Sequence, residues 1–296
     1  MHNYQTLPQK IFDIVLGIKP DLLNVASNSM LHTTTEALDI QLKQHTGRIK
    51  AEAIDVSTGR INYTHLRDSL VYRDYRQLTA QLAHFELNTL LRREQKLAFW
   101  LNLYNAMTID GIIHYGIHKT VTEMPGFFRQ TAYCIGAYRF CLDDIENGIL
   151  RANAGHPFIP GPQFGKDDPR CAFALDQLDY RIHFALVCGA ESCPPINFYD
   201  AEHIDTQLDL ATRNFLEQNL EVDTQANSIK LSKILQWYSE DFGASAWVKV
   251  GIGDKTPLLQ TIRPYINDQK KRSFIDDMLN PATIRFKSYN WALNSL

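Results

Sequence analysis

The stretch LAFWLNLYNAMTIDGIIHYGI, Leu97 to Ile117, decides how this chain is built. Its apolar residues lie nearly all round a helical projection rather than along one stripe, which predicts a helix central to the core and not one floating on a surface. Two asparagines interrupt it. Asn102 and Asn105, spaced three apart, share a face of that helix. A buried amide must find partners for its donors and its acceptor, so the pair either ties the helix to a neighbouring loop or serves a ligand. His114 and His118 stand four apart, as in a two-histidine metal pair. No glutamate follows His114 as in a zincin helix, and Gly116 loosens the helix end between them. They read as surface residues, and no metal is expected.

Working outward, RIHFALVCGAESCPP, Arg181 to Pro195, puts one histidine and two cysteines on an apolar run and the loop after it. Arg181 to Val187 reads as a buried strand, ended by Gly189 and the pair Pro194 and Pro195. On a straight strand His183 and Cys188 would face opposite sides. Cys193 lies past the glycine turn, free to fold back toward the imidazole. The competing reading makes Cys188 a packed core residue, since unpaired cysteine is often buried and inert. A Cys-x4-Cys pair could also form a redox disulfide, or half of a metal site whose second half is missing here.

The remaining segments fill in an α+β chain. Leu70 to Leu91 has helical spacing, Ala132 to Leu142 reads as two strands turning at Gly136 and Ala137, and LDDIENGILRAN as a short helix capped by Asp143 or Asp144. Glu146 would then lie in its first turn, where the helix dipole favours a carboxylate. Gly155 to Arg170 is an irregular connection that could drape over a pocket. Asp200 to Gln218 reads as an amphipathic helix, Val222 to Leu231 as a hairpin around Ala226 and Asn227, Leu231 to Phe242 as a helix capped by Ser232, and Thr283 to Tyr289 as a late strand. The fold class is therefore α/β of the α+β type, a mainly antiparallel sheet packed by helices, with a papain-like or transglutaminase-like core. Residues 1–54 are a helical lead-in and 55–296 the main domain.

Composition narrows the function classes. The chain has 296 residues, 45% hydrophobic and 21% charged, with a net charge of -3, enough for a sizeable core and without a basic face for nucleic acid. No stretch approaches the roughly 18–20 apolar residues that span a bilayer, and the N-terminus lacks a secretory pattern, so a membrane is not an expected partner. Five cysteines at irregular spacings suit reduced thiols in a cytoplasm better than a disulfide framework. No glycine-rich phosphate loop is present, and no cofactor is implied.

Six segments together, GRINYTHL (59–66), AFWLNLYNAM (98–107), LDDIENGILR (142–151), RIHFALVCGAESCPP (181–195), LSKILQWYSEDFG (231–243) and YNWALN (289–294), resemble the domain of unknown function 547 family. The resemblance runs in order from about residue 55 to the end. It implies a shared core and carries over Asn102, Asn105, Glu146, His183, Cys188 and Cys193 as motif positions, without implying an activity. The family occurs as stand-alone bacterial proteins and, in plants, joined to coiled coils; plant members often have serine where Cys193 stands.

These residues suggest a thiol-dependent hydrolase or acyl transferase acting on a peptide or amide-type substrate. Cys193 would be the nucleophile, His183 its base, Glu146 the group orienting the imidazole, and Asn102 or Asn105 a donor to the oxyanion or substrate backbone, with Cys188 the reserve nucleophile. The alternatives are a non-catalytic module for a peptide or protein partner and a thiol-disulfide switch between Cys188 and Cys193.

Overall fold

The computed structural model describes residues 5–25, 37–55, 57–276 and 283–296. The chain forms two compact units, one from Met1–Leu178, Leu186–Ile204 and Trp291–Leu296, the other from Asp179–Ala185 and Asp205–Asn290.

The first unit is assembled on the long apolar helix. Helices α1 (Leu7–Leu16), α2 (Leu38–Ala53), α3 (Tyr63–Arg67) and α4 (Leu70–Ala80) precede α5 (Arg93–Tyr115), in which every residue from Leu97 to Ile112 is buried. The Gln95 side chain accepts from the Arg92 N–H at 3.0 Å to start α5, and Gly116, at φ 63°, ends it in the left-handed conformation. His118 therefore lies beyond the helix, and the i, i+4 spacing with His114 is lost. Asp110, fully buried on α5, accepts from Tyr72 (2.5 Å), Tyr133 (2.7 Å) and Arg76 (2.7 Å), so the charge is paired where it would otherwise be costly.

A short helix α6 (Phe127–Gln130) leads into β1 (Ala132–Ile135), which pairs antiparallel with β2 (Tyr138–Cys141) across the expected turn; Gly136 and Ala137 both have positive φ, as a two-residue hairpin of this twist requires. The LDDIENGILR segment is helical but wider than expected, a π-helix over Asp144–Leu150. Asp143 does not cap it. Its carboxylate instead faces Arg129 at 3.5 Å, and Arg129 also holds Asp13 and Gln9 of α1. The segment 155–170 is irregular, and closes with Arg170 bonded to Asp168 and Asp144 at 2.8 and 2.9 Å.

The second unit holds α7 (Ile204–Asn219), the hairpin β3 (Glu221–Asp223) and β4 (Ser228–Leu231), the short α8 (Lys233–Trp237), α9 (Thr256–Ile262), α10 (Gln269–Asp276) and β5 (Thr283–Phe286). Its sheet runs β3-β4-β5, with β3 antiparallel and β5 parallel to β4. Phe184, Phe215, Leu235, Phe242 and Ile262 are central to its core. The Ser232 hydroxyl caps α8 as expected, but the helix stops at Trp237 instead of reaching Phe242.

The α+β class holds, with small and mainly antiparallel sheets among the described residues. The strand expected over Arg181 to Val187 does not: Tyr180–Phe184 is a 3-10 turn. Asp179 accepts from the Arg181 N–H at 3.1 Å and from its guanidinium at 2.9 and 2.6 Å, while Asp205 and Asp209 of α7 take the same guanidinium. These bonds pull the backbone into a tight turn, which an apolar run alone does not foretell. The strand alternation that would set His183 and Cys188 on opposite faces falls with it. Cys188 and Cys193 are joined in a disulfide, the pairing that their Cys-x4-Cys spacing left open, and the other three cysteines are free.

Candidate functional site

In the first unit, α5 uses its two asparagines as clips. The Asn102 amide donates to the Tyr199 carbonyl at 2.8 Å and accepts from the Tyr199 N–H at 2.6 Å, standing in for a peptide group of a neighbouring strand. Asn105 bridges two points of chain, accepting from the Val187 N–H at 3.0 Å and donating to the Asn197 carbonyl at 3.1 Å. It thereby draws together both stems of the segment 187–197. Asn105 is fully buried and Asn102 nearly so, so a lost clip would strand backbone groups without water. Of the two sequence readings, tying the helix to a loop is the one these bonds fulfil. Helix α2 adds an ion pair from Lys43 to Asp200 and a 2.9 Å bond from Lys50 to the Asn197 side chain.

Between those stems lie Cys188 and Cys193, bonded through sulfur with their Cα atoms 6.4 Å apart. Gly189 makes the turn possible. It sits at φ 84°, and a Cβ there would stand 2.6 Å from Ile112 of α5. The Cys193 N–H closes the turn on the Ala190 carbonyl at 3.0 Å, and the Cys188 N–H points at Cys193 Sγ at 3.1 Å, where it would stabilise negative charge on that sulfur. The other cysteines are different. Cys134, Cys141 and Cys171 are unbonded, and burial pushes each of their thiols up, away from the thiolate.

His183 belongs to the second unit and is almost entirely buried there. Its Nε2 lies 2.7 Å from Asp241, and Tyr238 stacks on the ring at 4.0 Å between centroids. A carboxylate on one ring nitrogen fixes the tautomer and the orientation of the ring. Asp241 is the residue that sequence reasoning missed. It lies within the YSEDFG motif at 238–243, whereas the sequence reading gives the orienting role to Glu146. Glu146 is buried in the first unit, where it accepts from the Tyr104 hydroxyl at 3.0 Å. The group orienting His183 is thus Asp241.

Among the described residues no group of three or more His, Cys, Asp or Glu side chains is placed to hold a metal ion, and no helix is long and apolar enough to cross a membrane. Residues 88–216 match the family model described as "Protein of unknown function, DUF547", a narrower span than the motifs from 55 onward. That span includes α5, the asparagine clips, Glu146, His183 and both bonded cysteines, and leaves Asp241 outside. No curated protein and no solved structure matches the chain.

Proposed function

We propose that this chain, whose residues 88–216 match the DUF547 family model, works through Cys188 and Cys193 as a reversible dithiol–disulfide centre. The carrying observation is the bond between those two sulfurs on a glycine turn, in a chain whose other cysteines are unbonded and pushed away from the thiolate by burial. In a cytoplasm, where glutathione and thioredoxin keep thiols reduced, the dithiol is the resting form and the bonded pair the oxidised one. The Cys193 thiolate, with the Cys188 N–H on its sulfur, attacks a small-molecule or protein disulfide and releases one thiolate from it. Cys188 then attacks Cys193 Sγ and releases the second. Two thiols have lost two electrons and two protons to the partner disulfide, which leaves as two thiols.

Peptide mass mapping tests this. Mild oxidation of the reduced protein with a glutathione redox pair should remove two hydrogens and cross-link the Cys188 and Cys193 positions, and dithiothreitol should restore them. If both positions still alkylate fully under oxidation that consumes an ordinary vicinal dithiol, the centre does not exist.

A second reading rests on the buried His183–Asp241 pair, a histidine held by a carboxylate as in thiol hydrolases and acyl transferases. In it, His183 is a base toward a peptide or amide-type substrate and Asp241 its orienting group, in the place given above to Glu146, both within the second unit. His183→Ala should then abolish any hydrolysis of such a substrate, whereas a non-catalytic module for a peptide or protein partner predicts no hydrolysis in either form.

A further inference from the structure

The chain between the two bonded cysteines carries more than the sulfurs. Gly189, Ala190 and Glu191, all inside the disulfide-closed ring, hold the segment Trp291–Leu296 of the same unit by backbone bonds. Ala190 and Leu293 form an antiparallel bridge, the Glu191 N–H donates to the Ala292 carbonyl at 2.8 Å, and the Asn294 N–H donates to the Gly189 carbonyl at 2.9 Å. The opposite side of that segment is held without help from the ring. There the Leu293 N–H donates to the Lys119 carbonyl at 2.6 Å, the Ile61 N–H to the Asn294 carbonyl at 2.9 Å and the Tyr63 hydroxyl to the Asn294 side chain at 2.7 Å.

We propose that the Cys188–Cys193 bond is a redox-gated clasp on the segment Trp291–Leu296, closed when oxidised and loosened when reduced. It rests on the dithiol reading above and deepens it by naming what the redox change regulates. The physical reason is conformational freedom. Closing a short ring removes backbone states from the residues within it, and Gly189 at φ 84° is the residue with most to regain when the ring opens. The carbonyl of Gly189 and the N–H of Glu191 are then no longer preset to meet their partners. Because Lys119, Ile61 and Tyr63 still hold the other side, reduction loosens the segment without expelling it. The gating step is the two-electron, two-proton exchange already written, with a disulfide such as oxidised glutathione as acceptor.

Hydrogen exchange on the full chain, read by mass spectrometry with fragmentation to single amides, tests the clasp. In the oxidised protein the Asn294 and Glu191 amides should be protected, and with dithiothreitol they should exchange about tenfold faster. The Leu293 amide should change less, and the β1–β2 amides not at all. The Cys188→Ser, Cys193→Ser double variant should show the fast rates with or without reductant. The mass of the same samples separates the two failures. If the two-hydrogen loss is seen and the Asn294 and Glu191 rates are equal in both redox states, the clasp is refuted and the dithiol centre stands. If the mass loss is absent, both fall.

Discussion

Replacing Asn105 by leucine should cost the first unit a large fraction of its stability. The substitution keeps side-chain size but removes the acceptor of the Val187 N–H and the donor to the Asn197 carbonyl, in a place the asparagine occupies with no exposure. Each buried backbone group left without a partner costs about 1–3 kcal/mol, so the pair costs about 2–6 kcal/mol. A native stability of about 5–15 kcal/mol makes that plainly measurable. Urea unfolding followed by circular dichroism at pH 7 would report it as a fall in midpoint. Asn105→Asp keeps an acceptor for Val187 but loses the donor to Asn197 and adds a buried charge, so it should be no better than leucine. Because both stems of the cysteine loop depend on this clip, the reduced leucine variant should also re-form the Cys188–Cys193 bond more slowly. A leucine variant within about 0.5 kcal/mol of the parent, the range of an ordinary surface change, would refute the argument that Asn105 is a structural clip.

Other expectations follow from the buried charges and the turn. Burial lifts the Asp143 carboxyl from 3.8 to about 6. A folded value above the unfolded one means the ionised group destabilises above about pH 6, and that this penalty fades as pH falls toward 3.8. Asp143→Asn should thus be more stable than the parent at pH 7.5, by up to about 3 kcal/mol at about 1.4 kcal/mol per unit, and equal to it near pH 4 in pH-resolved urea midpoints. For Asp144, burial is outweighed by Arg170 and Gln163, and the carboxyl sits at about 2. Its stabilisation is present above 3.8 and lost as pH falls toward 2, so Asp144→Asn should destabilise at pH 7 and converge with the parent in strong acid. Gly189→Ala forces a side chain to φ 84° against Ile112 and should lower the thermal midpoint, by an amount corresponding to about 1–3 kcal/mol. Asp241→Asn removes a charged partner from buried His183 and should cost about 1.5–3 kcal/mol, read as a fall in the urea midpoint.

Much of the local architecture was legible before any coordinates. The all-round apolarity of Leu97 to Ile117 marks a helix inside a core, which the structure ends at Tyr115; Gly136 with Ala137 and Ala226 with Asn227 mark two hairpins, and Ser232 marks a helix start, each found in place. Such features are set by neighbours along the chain, through φ preference, side-chain period and hydrogen bonds that reach two or three residues. The misread segment shows where that stops. Arg181 to Val187 has the composition of a strand, and its turn is held in part by Asp205 and Asp209, 24 and 28 residues further on.

The same division runs through the candidate site. That Asn102 and Asn105 share a buried face, and so must be satisfied by something, followed from their spacing alone. Which groups satisfy them did not, since Tyr199 and Asn197 lie 97 and 92 residues away. Asp241 stands 58 residues from His183 and was hidden for the same reason, whereas Glu146 was attractive only because it sat in a neighbouring motif. The amino-acid sequence by itself determined which residues must be buried, turned or capped, because those demands are local. Tertiary structure alone decided which carboxylate meets the histidine and which peptides the asparagines clip, because a hydrogen bond requires a distance, and distance between remote residues exists only once the chain has closed on itself.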